Sequence, residues 1–501
     1  MADIAVIGAG MGAMAAAARL AVAGHRVTVF ERSSGYGGAL DRFTQDGFAF
    51  DTGPGLLHLP AVYRDLFVKT GKRPLEDCVE MAQLDPGVRH VLEGGLEVTL
   101  PATSRGGTVT ALDAAFGAGS GERWSDCLSR ARSAWDATRR PLLEEPLRAD
   151  WQTLGADPYP AVRRSGLLRR RPPTLSDMAR RELGGQLAQL MEGHLVGYGV
   201  DPRTAPASAA VLPYLEQTFG SWYLRGGNRA LATAVYERCR ERGVTFVFGA
   251  EVAGIRVEDS RAVGLTLADG TSVTASQVLF GVDPRRLPSL LPAGTGWLRA
   301  GHLAPAPDSA TSRFSLFLAL RGARPRETVH RTVVHSPDTG AEFRAVHRGE
   351  PFDAPTLTVL RPDDPTTRPD EGHEAVTLTA TVAPQGVSDW RDPALVERWT
   401  QILIRAALPA VADLRERLMW HHGHTPADLA EATGSVGGSV AAPALAGAGG
   451  RLLHPANSTL LAGLHLVGGW SHPGGGLAHT GMSGALVSGL IVEGEGFRGS
   501  Q

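Results

Sequence analysis

The residues with the most specific chemistry stand near the start of the chain. Gly8-Ala9-Gly10-Met11-Gly12-Ala13 follows the apolar run Ile4 to Ile7 and precedes the alanine-rich stretch Met14 to Ala23; Arg26 to Phe30 then ends on Glu31. A short apolar run reads as a buried parallel strand, and an alanine-rich stretch has high helix propensity. The order is therefore strand, glycine turn, helix, strand, acid. Each part suits a dinucleotide. Gly8 permits the tight turn, and Gly10 lets the backbone approach a pyrophosphate. Ala13, where a third glycine usually sits, is small enough for close helix–strand packing. The helix start offers unpaired N–H groups and a partial positive charge to the phosphates. Glu31 can accept hydrogen bonds from ribose hydroxyls and would repel a 2′-phosphate.

Other reactive residue types lack a supporting pattern. His421-His422-Gly423-His424 has the density of a metal cluster but no further cysteine or carboxylate at ligand spacing. It precedes a helix start, Thr425-Pro426-Ala427-Asp428, so a solvated loop without metal is expected. Ser471 stands outside any G-x-S-x-G elbow, and a serine hydrolase is not indicated. The three cysteines, Cys78, Cys127 and Cys239, form no CxxC pair, which fits a reducing cytoplasm.

The chain that positions these groups has 501 residues, 43% apolar and 20% charged, the composition of a globular enzyme of about two to four structural units. A net charge of -2 supplies no field that draws the protein to nucleic acid. Arg19 interrupts the most apolar N-terminal stretch, and Gly489 to Gly494 closes the C-terminal one, so no run reaches the about 18 residues that span a bilayer. No signal peptide is expected, because Asp3 stands where a basic region would be. Neither a repeat nor a low-complexity linker marks a boundary, as in a discontinuous layout.

The residues beyond Glu31 separate flavin from nicotinamide. Glu31-Arg32 leads to Gly37-Gly38 and then to Phe48-Ala49-Phe50-Asp51-Thr52-Gly53-Pro54-Gly55. The second glycine pair adds backbone donors for a longer dinucleotide. On these residues the chain resembles the phytoene desaturase (carotenoid desaturase) family of the FAD-dependent amine-oxidase-like superfamily. The likeness continues through GSWYLRGG at 220–227, Gly243-Val244-Thr245-Phe246, Glu251-Val252, the hairpin signal Asp269-Gly270 and Gly281-Val282-Asp283-Pro284. It ends on LHLVGGWSHPGGG at 464–476, the most specific motif of the set.

The resemblance implies an α/β fold: a Rossmann-type FAD-binding domain with a discontinuous substrate domain, built on a mixed β-sheet, and a helical cap. Segments of about 1–60, 220–290 and 455–495 would build the FAD domain. Segments 61–219 and 291–454 would build the substrate domain and cap, with helical periods at Leu112 to Thr138 and Leu395 to Leu414. The FAD contacts it implies are Gly8, Gly10, Met11, Gly12, Ala13, Glu31, Arg32, Gly37, Gly38, Ala39, Leu40, Pro54, Gly55, Val252, Gly469, Gly476, Leu477 and Ala478. No cysteine or histidine is identifiable as a covalent anchor, so non-covalent FAD is expected.

The chain departs from the family twice. Ala39 replaces a basic residue after the glycine pair, and Leu477-Ala478-His479-Thr480-Gly481 replaces a proline and glycine. Both departures fall where the resemblance places the isoalloxazine ring. By motif position, His58, Trp470, His472 and His479 would lie near the flavin. Glu216, Trp222, Tyr223 and Arg225 would line the adjoining cavity. His58, Trp470, Tyr223 and His479 are the catalytic candidates. His58, among Leu56, Leu57 and Leu59, also reads as a core histidine, and His472 reads as a structural turn residue. His479 brings acid–base capacity where the family has none.

The implied activity is FAD-dependent desaturation of a long isoprenoid or polyene chain, with reoxidation by oxygen or a quinone. The departures keep open a dehydrogenase that forms or aromatises a ring in a polyene or carrier-linked acyl intermediate, and a reduced-flavin isomerase. The expected partner is a hydrophobic or carrier-linked small molecule, not nucleic acid. Arg163 to Arg171, reading RRSGLLRRR, is either a solvated face or a peripheral contact with an anionic membrane. The oligomeric state is open.

Overall fold

The apolar run at the start forms the strand Asp3–Ile7, whose last four residues are buried. A strand without a wet face belongs inside a parallel sheet covered on both sides. In the computed structural model, which describes residues 1–148, 150–160, 172–298 and 310–499, it is the central strand of five. The order is Leu464–Leu466, Gln277–Phe280, Asp3–Ile7, Arg26–Glu31 and Thr245–Phe248, all parallel. Ile7 lies in register with Phe30 and Phe280. Gly8, Glu31 and Gly281 therefore emerge together at the carboxyl ends, where open α/β sheets bind ligands.

Both faces of this sheet are packed. Val6, Val27 and Val29 meet the alanines of the helix Met11–Val22 on one side, and Phe30, Val278, Phe280 and Leu466 meet Ile255 and Leu265 on the other. Each such aliphatic burial contributes about 1.5–3 kcal/mol. The second layer is a three-stranded antiparallel meander, Val252–Glu258, Arg261–Leu267 and Ser272–Thr274, turned at the expected Asp269-Gly270. The helix Met11–Val22 starts three residues before the alanine run. Gly10 caps it in an extended conformation and accepts from Met14 N at 2.9 Å. It packs against the helix Leu477–Glu493, and two glycines make that approach possible. A Cβ on Gly12 would stand 2.8 Å from Gly468 Cα, and one on Gly484 would stand 2.7 Å from Gly12 O.

A mixed seven-stranded sheet forms the other body, in the order Leu418–His424, Ser312–Arg321, His373–Val382, Leu357–Leu360, Arg331–Val334, Val88–Val91 and Glu97–Leu100. Leu418–His424 corrects the loop expected around His421. It is an edge strand paired with Ser312–Arg321. Trp420, His422 and His424 alternate toward an aromatic layer, with the His422 ring stacked 4.1 Å from Phe43. The hairpin Arg42–Gln45 with Phe48–Asp51 packs on that layer through Phe43, Phe48 and Phe50.

Helices cover the two faces of this sheet differently. The period at Leu112 to Thr138 is realised as two helices, Arg105–Phe116 and Ser120–Arg139, broken at Gly117 and Gly119. They pack with Leu175–Glu182, Gly185–Gly197 and Val211–Phe219 as the cap. The period at Leu395 to Leu414 gives Pro393–Ala407, which covers the opposite face through Trp399, Ile402 and Leu403, so it is not part of the cap. Among the described residues no helix is long and apolar enough to cross a membrane.

Candidate functional site

Period-2 alternation sends Arg313, Ser315, Thr377, Thr379, Thr358 and Arg331 from the seven-stranded sheet into a cavity of about 750 Å³. The cap forms the opposite wall with His194, Gly197, Tyr198, Leu212, Leu215 and Glu216. The same cavity runs on to the glycine turn of the five-stranded sheet. Every residue that the resemblance assigns to FAD, from Gly8 to Ala478, lines it, and so do His58, Tyr223, Trp470 and His479.

The cradle end has the shape a dinucleotide needs. A Cβ on Gly10 would meet no atom within 4 Å, so this backbone faces open space. The loop after the acid folds back on the turn: Gly37 N donates to Ala9 O at 2.9 Å. Gly37 has φ of 107°, and a Cβ there would stand 2.6 Å from Leu40 O. Arg229 holds this loop, donating to Tyr36 O and Leu40 O and lying over the Tyr36 ring. Asp51 accepts from Asn228 N at 2.7 Å, which caps the helix Asn228–Glu241. Burial raises its carboxyl to about 6 against those bonds. The structural roles of Arg229 and Asp51 are not legible in the sequence, because their partners lie far away in the chain.

Glu31 does more than wait for a ribose. Its carboxylate accepts from Ala9 N at 2.7 Å and Ser33 N at 2.8 Å, which ties the glycine turn to the second strand. A carboxylate has about four lone-pair sites, so positions remain for ribose hydroxyls. At the far end, Gly476 with φ of 95° starts the helix Leu477–Glu493. Leu477, Ala478 and His479 occupy its first turn, where free N–H groups suit an electron-rich ring edge.

The candidates for chemistry separate by their partners. The Tyr223 hydroxyl donates to Asp364 at 2.8 Å, and its burial and that bond push the phenol far above its ordinary value. Tyr223 is therefore held as wall. Trp470 is clamped under Arg285, which itself pairs with Asp283. His472 is fully buried outside the cavity lining, with Nε2 2.9 Å from Glu145 O. Trp222 and Arg225 do not line the cavity, contrary to expectation. Trp222 faces Arg64 and Arg225 pairs with Glu80 at 2.8 Å, because only Tyr223 of the strand Trp222–Leu224 points inward.

His58 stands in a charged group that no sequence motif announces. Its Nε2 lies 3.8 Å from Glu216, which also accepts from Arg331 at 2.9 Å and from Tyr198 at 3.1 Å. Burial would raise the Glu216 carboxyl, but the Arg331 guanidinium holds it well below the carboxylate range. Burial lowers His58 despite that neighbour. Burial, with His454 nearby, lowers His479 to about 4. Both imidazoles are neutral at pH 7, and His479 is a weaker base than its residue type suggests.

A parallel sheet with a dinucleotide cradle, opening into a cavity closed by a mixed sheet and a cap, defines an FAD-dependent oxidoreductase. Residues 14–492 match the family model for flavin containing amine oxidoreductase, and the chain belongs to that family. It is 28% identical over 506 residues to a 4,4′-diapolycopene oxygenase of Methylomonas sp, covering 97% of each chain. It is 30% identical over 396 residues to a zeta-carotene-forming phytoene desaturase of Myxococcus xanthus, covering 77% of this chain and 74% of that one. A solved oxidoreductase of Methanosarcina mazei superposes with a TM-score of 0.60 at 16% identity over 97% and 99% of the two chains. Putrescine oxidase bound to putrescine superposes with 0.60 at 13% identity over 98% and 99%.

Two nearby glycines are expected to fail in different ways. Gly10→Ala should leave the stability of the flavin-free protein unchanged or slightly raised, by up to about 1 kcal/mol, while less FAD is recovered. Gly12→Ala should cost about 1–3 kcal/mol by overpacking against Gly468 and lower the melting temperature itself. Acid precipitation should release the FAD into the supernatant for counting; flavin retained in the pellet, or equal occupancy in Gly10→Ala, would contradict this assignment.

With its pKa lowered to about 4, His479 is neutral from about pH 6 to 8, and its protonation does not change over that range. Anaerobic flavin reduction should then show no inflection near 6.5, the ordinary imidazole value. His479→Gln should stay within about threefold of wild type, well short of the roughly 10²–10⁴ expected for loss of a general base. A wild-type inflection near the ordinary imidazole value that vanishes in His479→Gln would restore the base role.

Proposed function

We propose that this FAD-dependent oxidoreductase desaturates a long isoprenoid or polyene chain. The supporting observation is the continuity of one cavity from the FAD cradle to the space between sheet and cap, which lets an extended substrate lie along the flavin. Relatives that match over most of their length carry carotenoid desaturase and oxygenase names.

Bound flavin supplies a two-electron acceptor for a hydride. The chain's own residues do the rest. The cap helices form one wall of the cavity, Leu56, Leu59, Leu212, Leu215 and Leu360 line its path, and the sheet hydroxyls define its other wall. Glu216, held ionised by Arg331 at 2.9 Å, is a poor proton acceptor. The neutral imidazole of His58, 3.8 Å from Glu216, is the group left to receive a proton. Mixing the oxidised enzyme with a polyene under anaerobic conditions should bleach the visible absorbance and yield a product lighter by one H2 per double bond formed. Polyenes that bind without bleaching, across isoprenoid and linear series, would refute the activity.

The proposed location is the cytoplasm, with Arg163, Arg164, Arg169, Arg170 and Arg171 meeting an anionic membrane that holds the substrate. These residues lie outside the described ones, and the reading rests on their composition. Sedimentation with anionic vesicles should weaken with added salt, because charge attraction is screened. It should also weaken when the five arginines are reversed in charge; equal sedimentation would remove the proposal.

A further inference from the structure

The wall that faces the cap carries more charge than a hydrocarbon requires. Arg331 and Arg313 both point into the cavity from the seven-stranded sheet. Arg331 is neutralised by Glu216 at 2.9 Å. Arg313 is not. Among the described residues its guanidinium has no hydrogen-bond or ion-pair partner, and the one charge-bearing neighbour is the Tyr198 phenol, whose proton is already donated to Glu216. Burial lowers Arg313 to about 10, a direction that reflects poor solvation.

The backbone around Arg313 is pinned. Thr311 Oγ1 donates to Gly199 O at 3.1 Å, and Ser312 Oγ donates to Gly438 O at 2.6 Å. Across the ladder, Thr381 donates to Val196 O at 2.8 Å. The side chain thus starts from a fixed point. Arg313 lies beside Tyr198 and next to the bridge from Thr311 to Val440. A desolvated cation without a counter-ion is unfavourable, and the planar guanidinium fork matches a carboxylate through two parallel hydrogen bonds. Ser315 and Thr379, 3.1 Å apart on the same wall, add hydroxyls beside it.

We infer that Arg313 binds a carboxylate at one end of the substrate chain, so that the substrate class is a polyene acid rather than a hydrocarbon. This rests on the polyene reading above, and the test separates the two.

The holoenzyme is titrated with all-trans-retinoic acid, its methyl ester and octanoate, and binding is read from the shift in flavin absorbance rather than from turnover. Wild type should bind the acid at least about tenfold more tightly than the ester, the scale of one charge-assisted hydrogen bond. Arg313→Met should lose that preference with ester affinity unchanged, and Arg313→Lys, which keeps charge but not the fork, should retain part of it. Equal affinity for acid and ester in wild type, or an undiminished preference in Arg313→Met, would overturn the carboxylate site. An octanoate response in wild type that is lost in Arg313→Met, with neither retinoid binding, would keep the anion site and sink the polyene reading. Silence toward all three ligands would overturn the site.

Discussion

At Gly12 the backbone of the first helix touches the turn at Gly468 and comes within reach of Gly484 in the last helix, with no side chain between them. That contact sets the distance between two helix N-termini, Met11 and Leu477, that open on the same cavity. One suits phosphates and the other the ring end, and a bound dinucleotide must span the distance between them. The register of the five-stranded sheet follows from the same contact, since Leu464–Leu466 must pair beside Gln277–Phe280 to deliver Gly468. Dispersion falls off steeply with a gap of even about half an ångström, so the glycines are structural requirements as much as binding residues.

The second organising feature is the uneven treatment of charge inside the cavity. Glu216, Arg331, Tyr198, His58 and His194 form one compensated group, in which each charge has a partner. Breaking such a buried pair from one side typically costs about 3–5 kcal/mol. The cradle is compensated in another way, by backbone N–H groups that bind Glu31 and by Asp51 on a helix start. Arg313 stands outside both groups. A cavity that pairs Arg331 with Glu216 and leaves the buried guanidinium of Arg313 without a hydrogen-bond or ion-pair partner among the described residues has reserved that cation for something that arrives.

The parts of this protein that are legible in the sequence are those encoded by local period or by a contiguous motif. The unit from Ile4 to Glu31 is readable because strand, turn, helix and acid are consecutive. The placement of Leu477, Ala478 and His479 comes from one unbroken string. Propensity alone starts the first helix at the alanines, because Met11-Gly12 is the weaker helix former; tertiary packing overrides it. Residue type alone makes His421 to His424 a loop, although Leu418, Trp420, His422 and His424 alternate at the period of a strand. Glu216 with Arg331, Asp51 with Asn228 and Arg229 with Leu40 are out of reach, since each pair joins residues more than a hundred positions apart. Residue type also overstates the acid–base capacity of His479, because burial is a property of the fold and not of the residue.

The five-stranded sheet has a consequence for how the protein is made. Its central strand leaves the ribosome first, but the strand that completes one side, Leu464–Leu466, and the helix that closes the cradle emerge some 460 residues later. Long-range parallel pairing is slow, and unpaired strand edges in partly made chains favour aggregation. From its own emergence until that of Leu464–Leu466, the outer edge of Gln277–Phe280 has no partner. Capture of the flavin must therefore be a late event, and the yield of active protein in a host cell should depend on how well the nascent chain is shielded until its last segment arrives.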